Sequence, residues 1–172
     1  MGGLVATLCY KKGRDQELST PFKSLFDIPA VDINGNQIQK LGNILEYKSC
    51  ILVVNVASND KGFEILAFPC NQFMRQEPRS NQEIKEYVIK RFGVQFPLFE
   101  KCDVNGPNAH EVFKFLRYNM PQLNKKNKKG VKEVPWNFSK FLVNKQGKVV
   151  KFQDPRTSIF EMRDDIERLL QE

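Results

Sequence analysis

The sequence predicts one mixed α/β domain built around two buried strands, and three observations carry that prediction. The first lies in residues 51 to 78, where two runs, Ile51–Ala57 and Phe63–Phe68, are close to continuously apolar and rich in β-branched residues. Such runs suit strands buried on both faces. The second is a pair of capping boxes, Ser80-Asn81-Gln82-Glu83 and Ser158-Ile159-Phe160-Glu161, in which a serine and a glutamate satisfy free helical N–H groups. The third is a pair of hairpin signals, Asn34-Gly35 and Asn144-Lys145-Gln146-Gly147, each set between apolar runs. At 172 residues and 41% apolar content, the chain is long enough for one domain with a sizeable core.

Taken in order, residues 1–23 read as an N-terminal extension without periodicity, expected to be mobile, and residues 24–172 as the domain. Ser24 to Ile33 alternates and leads into Asn34-Gly35, with Ile38 and Leu41 on the far side of the turn. The first capping box opens a helix carrying Ile84, Val88 and Phe92 and ending at Gly93. Phe96-Pro97-Leu98-Phe99 reads as extended and Asp103-Val104-Asn105-Gly106 as a turn. Pro107 suits the first turn of a second helix with Ala109, Val112, Phe113 and Leu116 on one face, stopping before Pro121. Lys125 to Lys129 lies in a polar basic loop, expected to be mobile. Phe138–Val143 and Lys148–Phe152 form the second hairpin, and a terminal helix turns Met162, Ile166, Leu169 and Leu170 inward.

Ser58-Asn59-Asp60-Lys61-Gly62 raises a difficulty. Five residues can close an antiparallel hairpin, whereas neighbouring parallel strands need a crossover of about a dozen or more. Either the two central runs form a buried hairpin, or a crossover is missing.

Composition narrows the function. No run approaches the roughly 18 apolar residues of a membrane span. The apolar patch Leu4 to Cys9 has its lysines after it, the wrong order for a secretory signal, and Ala6 breaks the myristoylation pattern that Gly2 opens. A cytoplasmic protein is expected. Cys9, Cys50, Cys70 and Cys102 lack metal-ligand spacing and one histidine is present, so neither a zinc site nor another cofactor is expected. The net charge of +7 suits anionic partners, including an anionic lipid surface. The lysine run has no interleaved aromatics, which disfavours nucleic acid. His110 reads as a helix-start residue.

Asn55-Val56-Ala57-Ser58, Leu66-Ala67-Phe68-Pro69-Cys70-Asn71-Gln72-Phe73, Gln76-Glu77-Pro78 and Pro135-Trp136-Asn137-Phe138 resemble the signature blocks of the glutathione peroxidase family. Asp103 to Gly106, Ala109-His110 and Phe141-Leu142-Val143 match as well, so the resemblance runs from about Ser24 to Leu170. It implies a thioredoxin-like three-layer sandwich, a central mixed sheet with helices on both faces. It also implies reduction of hydrogen peroxide and of organic or lipid hydroperoxides, with glutathione or a thioredoxin-like protein as the reducing substrate. That chemistry needs a thiolate or selenolate to attack the O–O bond, beside donors that stabilise the developing charge. By resemblance the donors are Gln76, Trp136 and Asn137. Read alone, each suits a turn or a core position. Met74-Arg75 stands where the family usually has a glycine.

The main departure falls in the link. In the family, Asn-Val-Ala-Ser is followed by one residue, then the peroxidatic cysteine or selenocysteine, then the first crossover helix. Here the second strand begins almost at once, so the nucleophile and that helix are absent. A gene reading that steps over a selenocysteine UGA codon would remove such a piece, and so would a natural shortening. Both remain open on the sequence. Asp60 cannot reduce a peroxide, and Cys70 is the nearest other thiol, expected to be a small buried hydrophobe. No cysteine lies in the helix where thioredoxin-dependent relatives carry a resolving one, and Ile89 stands near that place, which favours glutathione. The expectation is a peroxidase by lineage that is inactive as written. The alternative is a non-catalytic binding protein on the same fold, engaging a thiol protein, a lipid headgroup or nucleic acid.

Overall fold

The structure, a computed structural model, describes residues 14–15, 18–54, 62–124 and 130–172. The Asn55 to Ser58 block, the Asp60 link, Cys9 and the 125–129 basic run therefore lie outside the described residues. In chain order the elements are β1 (Arg14–Asp15), β2 (Ala30–Val31), β3 (Gln37–Ile38), β4 (Cys50–Val54) and β5 (Phe63–Ala67), then α1 (Asn81–Phe92) and α2 (Glu111–Asn119). They are followed by β6 (Val131–Lys132), β7 (Lys140–Asn144), β8 (Val149–Gln153) and α3 (Arg163–Gln171). The central sheet has the order β5-β4-β7-β8.

β4 and β5 run parallel, with Cys50 opposite Phe63 and Val54 opposite Ala67. This overturns the hairpin alternative. Eight residues, 55–62, join the two strands, short of the dozen or more that a helical crossover takes. β7 lies antiparallel to β4 and to β8, making the sheet mixed. Leu98 adds a parallel bridge to Ala67 at the outer edge.

The continuous apolar runs are explained by two covered faces. On one, Ile51, Val53, Leu66, Phe68, Phe141 and Val143 pack with Val112, Phe113 and Leu116 of α2. The Phe68 ring stacks on Phe99 at 4.3 Å and meets Phe113 edge-on at 5.5 Å. On the other, Cys50, Leu52, Phe63, Ile65 and Leu142 pack with Met162 and Leu169, flanked by Ile166 and Leu170. Full burial of one such side chain is worth about 1.5–3 kcal/mol.

Both capping boxes form. Ser80 Oγ accepts from Glu83 N–H while Glu83 Oε2 accepts from Ser80 N–H. The Ser158 box opens a 3-10 turn that runs into α3. α1 ends at Gly93 with φ 62°, the left-handed position that glycine occupies without strain. Two expectations need correction. Phe92 is 59% exposed, because α1 buries only Ile84 fully. α2 begins at Glu111, after Pro107 and Ala109, because His110 supplies its N-cap. Within the stretch read as an extension, the described residues meet the domain: β1 pairs with β6, and Leu18 and Phe22 pack against the core.

Candidate active site at the carboxyl end of the sheet

Strand direction sets the site. Because β4 and β5 are parallel, their carboxyl ends coincide, and the antiparallel β7 starts at the same edge. The chain therefore leaves Val54, enters Phe68-Pro69-Cys70 and arrives through Trp136-Asn137-Phe138 at one end of the sheet. In open α/β sheets this is where ligands bind.

Three of the blocks are tied together there by hydrogen bonds. Gln72 Oε1 accepts from the N–H groups of Val104 and Asn105, both at 2.9 Å, and Gln72 Nε2 donates to Asn105 O at 3.0 Å. The buried Asn105 side chain then brackets Val134: Nδ2 donates to Val134 O at 2.9 Å, and Oδ1 accepts from Val134 N–H at 2.8 Å. Within the first loop, Asn71 Oδ1 accepts from Glu77 N–H at 3.0 Å. Gln72 and Asn105 thus position the segments that carry the expected donors. The sequence offered them as loop residues inside matched blocks; their pairing needed the fold.

Of the expected site residues, the structure brings Gln76 and Asn137 into contact, Asn137 Nδ2 donating to Gln76 Oε1 at 3.0 Å. Asn137 is buried and Gln76 exposed. Both line a cavity of about 340 Å³ with Pro69, Cys70, Ile84 and Leu98 among its walls. Trp136 packs on Phe73, ring centroids 5.5 Å apart. It is part-buried and is not among the cavity-lining residues.

The backbone around the pair is unusual. Met74 and Arg75 have φ of 51° and 52°, and Phe138 has φ 63°, a region that costs a non-glycine residue roughly 1–2 kcal/mol. Met74-Arg75, where the sequence departs from the family pattern, therefore makes the turn before Gln76 with two strained residues. Phe138 is held by the buried Lys140, whose Nζ donates to the carbonyls of Phe138 at 2.9 Å, Thr157 at 2.9 Å and Pro155 at 3.4 Å. Burial pushes this ammonium's pKa down.

Among the described residues the thiol that lines this cavity is Cys70. Burial pushes the Cys70 thiol up, and the charge of Asp103 adds to the shift, while Gln72 N–H approaches the sulfur at 3.5 Å. Cys50 is pushed up to about 12 by burial, and Cys102 is also raised, chiefly by burial. Cys70, 3% exposed, sits as a small buried hydrophobe. His110 caps α2, its Nδ1 accepting from Val112 N–H at 3.2 Å, and burial holds its pKa down. No cluster of three metal-ligating side chains occurs among the described residues, and no described helix is long and apolar enough to cross a membrane.

Comparison with known proteins bears on the same region. The family model described as glutathione peroxidase matches residues 58–117. A putative chloroplastic glutathione peroxidase 7 of Arabidopsis thaliana is 42% identical, over 86% of this chain and 68% of that protein. That alignment spans 170 positions, whereas 86% of this chain is about 148 residues, so about 22 positions have no counterpart here. The hydroperoxy fatty acid reductase gpx1 of Synechocystis is 51% identical over 64% of this chain and 66% of that protein. Among solved structures, the apo form of Trgpx superposes with a TM-score of 0.63 at 29% identity, covering 87% of this chain and 96% of that one.

Proposed function

The chain belongs to the glutathione peroxidase family, and we propose that it is the scaffold of a thiol-dependent hydroperoxide reductase that retains its donor side and lacks its peroxidatic residue. The reaction of this scaffold would be ROOH + 2 RSH → ROH + RSSR + H2O, begun by a thiolate or selenolate placed just after β4. Gln76, Asn137 and the Trp136 indole N–H would stabilise the charge that develops as the O–O bond breaks, Trp136 from its seat on Phe73.

The observation that carries the reading is the parallel pairing of β4 and β5 across an eight-residue passage. The register belongs to a strand–helix–strand unit, and the passage is too short to supply the helix. Among the described residues the thiol lining the site is Cys70, 3% exposed, and burial pushes it up, away from the thiolate that attacks a peroxide. Ile89, 47% exposed on α1, occupies a face where a resolving cysteine would be reachable, which supports glutathione as the donor. The name of the Synechocystis relative supports a fatty hydroperoxide as oxidant. A reducing compartment suits this chemistry; the cytoplasm is our reading, although the Arabidopsis relative is named as chloroplastic.

The test is peroxide consumption with glutathione by the chain as it stands, where only the uncatalysed rate is expected. Turnover above that rate, lost in Cys70→Ser, would sink the reading by making Cys70 the nucleophile. Intact mass and peptide mapping of the native protein separate the two origins of the gap. Extra peptide between Asp60 and Lys61 means a skipped codon, and a mass of 20.0 kDa means a natural shortening.

A further inference from the structure

Asn137 lies between two main-chain carbonyls, each gripped by a buried polar side chain. On one side Ser139, 5% exposed, donates from Oγ to Trp136 O at 2.9 Å. On the other, Lys140, 8% exposed, donates from Nζ to Phe138 O at 2.9 Å. The same ammonium reaches 15 and 17 residues along the chain to Pro155 O and Thr157 O. We propose that Lys140 is a positioning residue for Asn137: it clamps Phe138 in a left-handed conformation, and that conformation aims the Asn137 amide at Gln76.

The chemistry of the lysine points to a directional task. Taking an ammonium out of water is strongly unfavourable, and a methionine would fill the same volume without that penalty. An ammonium has three donors and no acceptor, and here three carbonyls meet it. Hydrogen bonds from a charged donor are roughly twice as strong as neutral ones. Phe138 is what needs holding. Its φ of 63° is a conformation that a bulky residue keeps only where its surroundings over-determine it. Without the clamp, Phe138 would return to negative φ, a rotation of roughly 120° about its N–Cα bond. Because the chain beyond Phe138 is fixed in β7, that rotation swings the Asn137–Phe138 peptide. The Asn137 side chain, now 3.0 Å from Gln76 Oε1, goes with it.

The clamp also ties the donor pair to the turn ahead of the Ser158 capping box and α3. Neither Pro155 nor Thr157 lines the cavity, so the geometry of the pair depends on a segment outside it. A part for Lys140 in peroxide chemistry rests on the reading of Asn137 as a donor. The clamp itself does not, and its test needs no turnover, so failure here leaves that reading standing.

The experiment is hydrogen exchange by NMR on the full chain, following the Asn137 side-chain amide in Lys140→Met, Phe138→Gly and the double variant. Lys140→Met should speed exchange of that amide by about fivefold, the loss of one typical hydrogen bond. The main-chain amides of Val104 and Asn105, held by Gln72, should stay as they are. Glycine adopts φ near 60° without strain, so in the Phe138→Gly background the same lysine change should leave the Asn137 amide within about twofold. An Asn137 amide unmoved in folded Lys140→Met, or equal acceleration in both backgrounds, would overturn the proposal. If Lys140→Met does not fold, Lys140→Arg takes its place: it keeps the charge, but its planar fork cannot converge on these three carbonyls. An unmoved Asn137 amide in that folded chain would overturn the proposal equally.

Discussion

The two sides of the sheet's carboxyl end differ in how they are held. On the donor side, Gln72, Asn105 and Val134 are locked by five hydrogen bonds of 2.8 to 3.0 Å, and Asn137 meets Gln76. On the nucleophile side, β4 simply ends at Val54 and the chain returns to Phe63 in eight residues. The strands flanking that short passage nevertheless keep their parallel register and their burial on both faces. Side-chain packing, with α2 on one face and α3 with Met162 on the other, fixes the sheet independently of the connection. Neither face of β4 and β5 is bare beside the short passage: Cys50, Leu52, Phe63 and Ile65 are all buried. The short passage leaves the sheet in place.

If this contrast is right, the donor side should be the brittle one. Asn105→Ala strips both partners from buried Val134 and should destabilise the protein by about 2–4 kcal/mol in urea denaturation. An insertion of four to six residues between Asp60 and Lys61 should cost less than about 1 kcal/mol, because loop closure changes slowly with length. The reverse order of these two effects would break the comparison. Ser80→Ala removes a capping box and should cost about 1 kcal/mol. Met74→Gly or Arg75→Gly relieves a left-handed non-glycine residue and should raise stability, by roughly 0.5–1 kcal/mol each after the added chain freedom is counted.

The smallest effect is a pH dependence. The His110 pKa is lowered in the fold by burial, opposed by Glu111 and assisted by Lys114. Below the unfolded value of about 6.5, the unfolded chain binds a proton that the folded chain refuses. Stability should therefore fall as pH drops through and below that value, down to the folded pKa. Asn can cap without titrating, so His110→Asn should flatten this slope in thermal melts, and an unchanged slope would assign it to another group.

Much of the fold was legible in the sequence because its signals are local. Both capping boxes, the Asn144 to Gly147 turn and the stop before Pro121 depend on residues within a few positions of one another. The continuous apolar runs announced burial on both faces, and the family blocks announced which ends would meet. Parallel or antiparallel pairing of β4 with β5 was not legible, since burial patterns are the same for both. The apolar spacing of α1 misled at Phe92, because hydrophobic spacing reports a face without saying how far along the helix something covers it. At the site, Gln76 and Asn137 were named through the resemblance. Asn105 and Lys140, which position the segments around them, act through contacts 29 and 15–17 residues away in sequence, beyond the reach of any local pattern.

The most direct test of the account is to restore what the passage lacks. Inserting a crossover segment of about 22 residues that opens with a cysteine between Asp60 and Lys61 should give a chain that consumes peroxide with a thiol donor. The gain should be at least about a thousandfold over the uncatalysed rate, and should be lost again in Gln76→Leu or Asn137→Leu. A restored chain that folds cooperatively yet stays at the uncatalysed rate would contradict the claim that the donor side is intact.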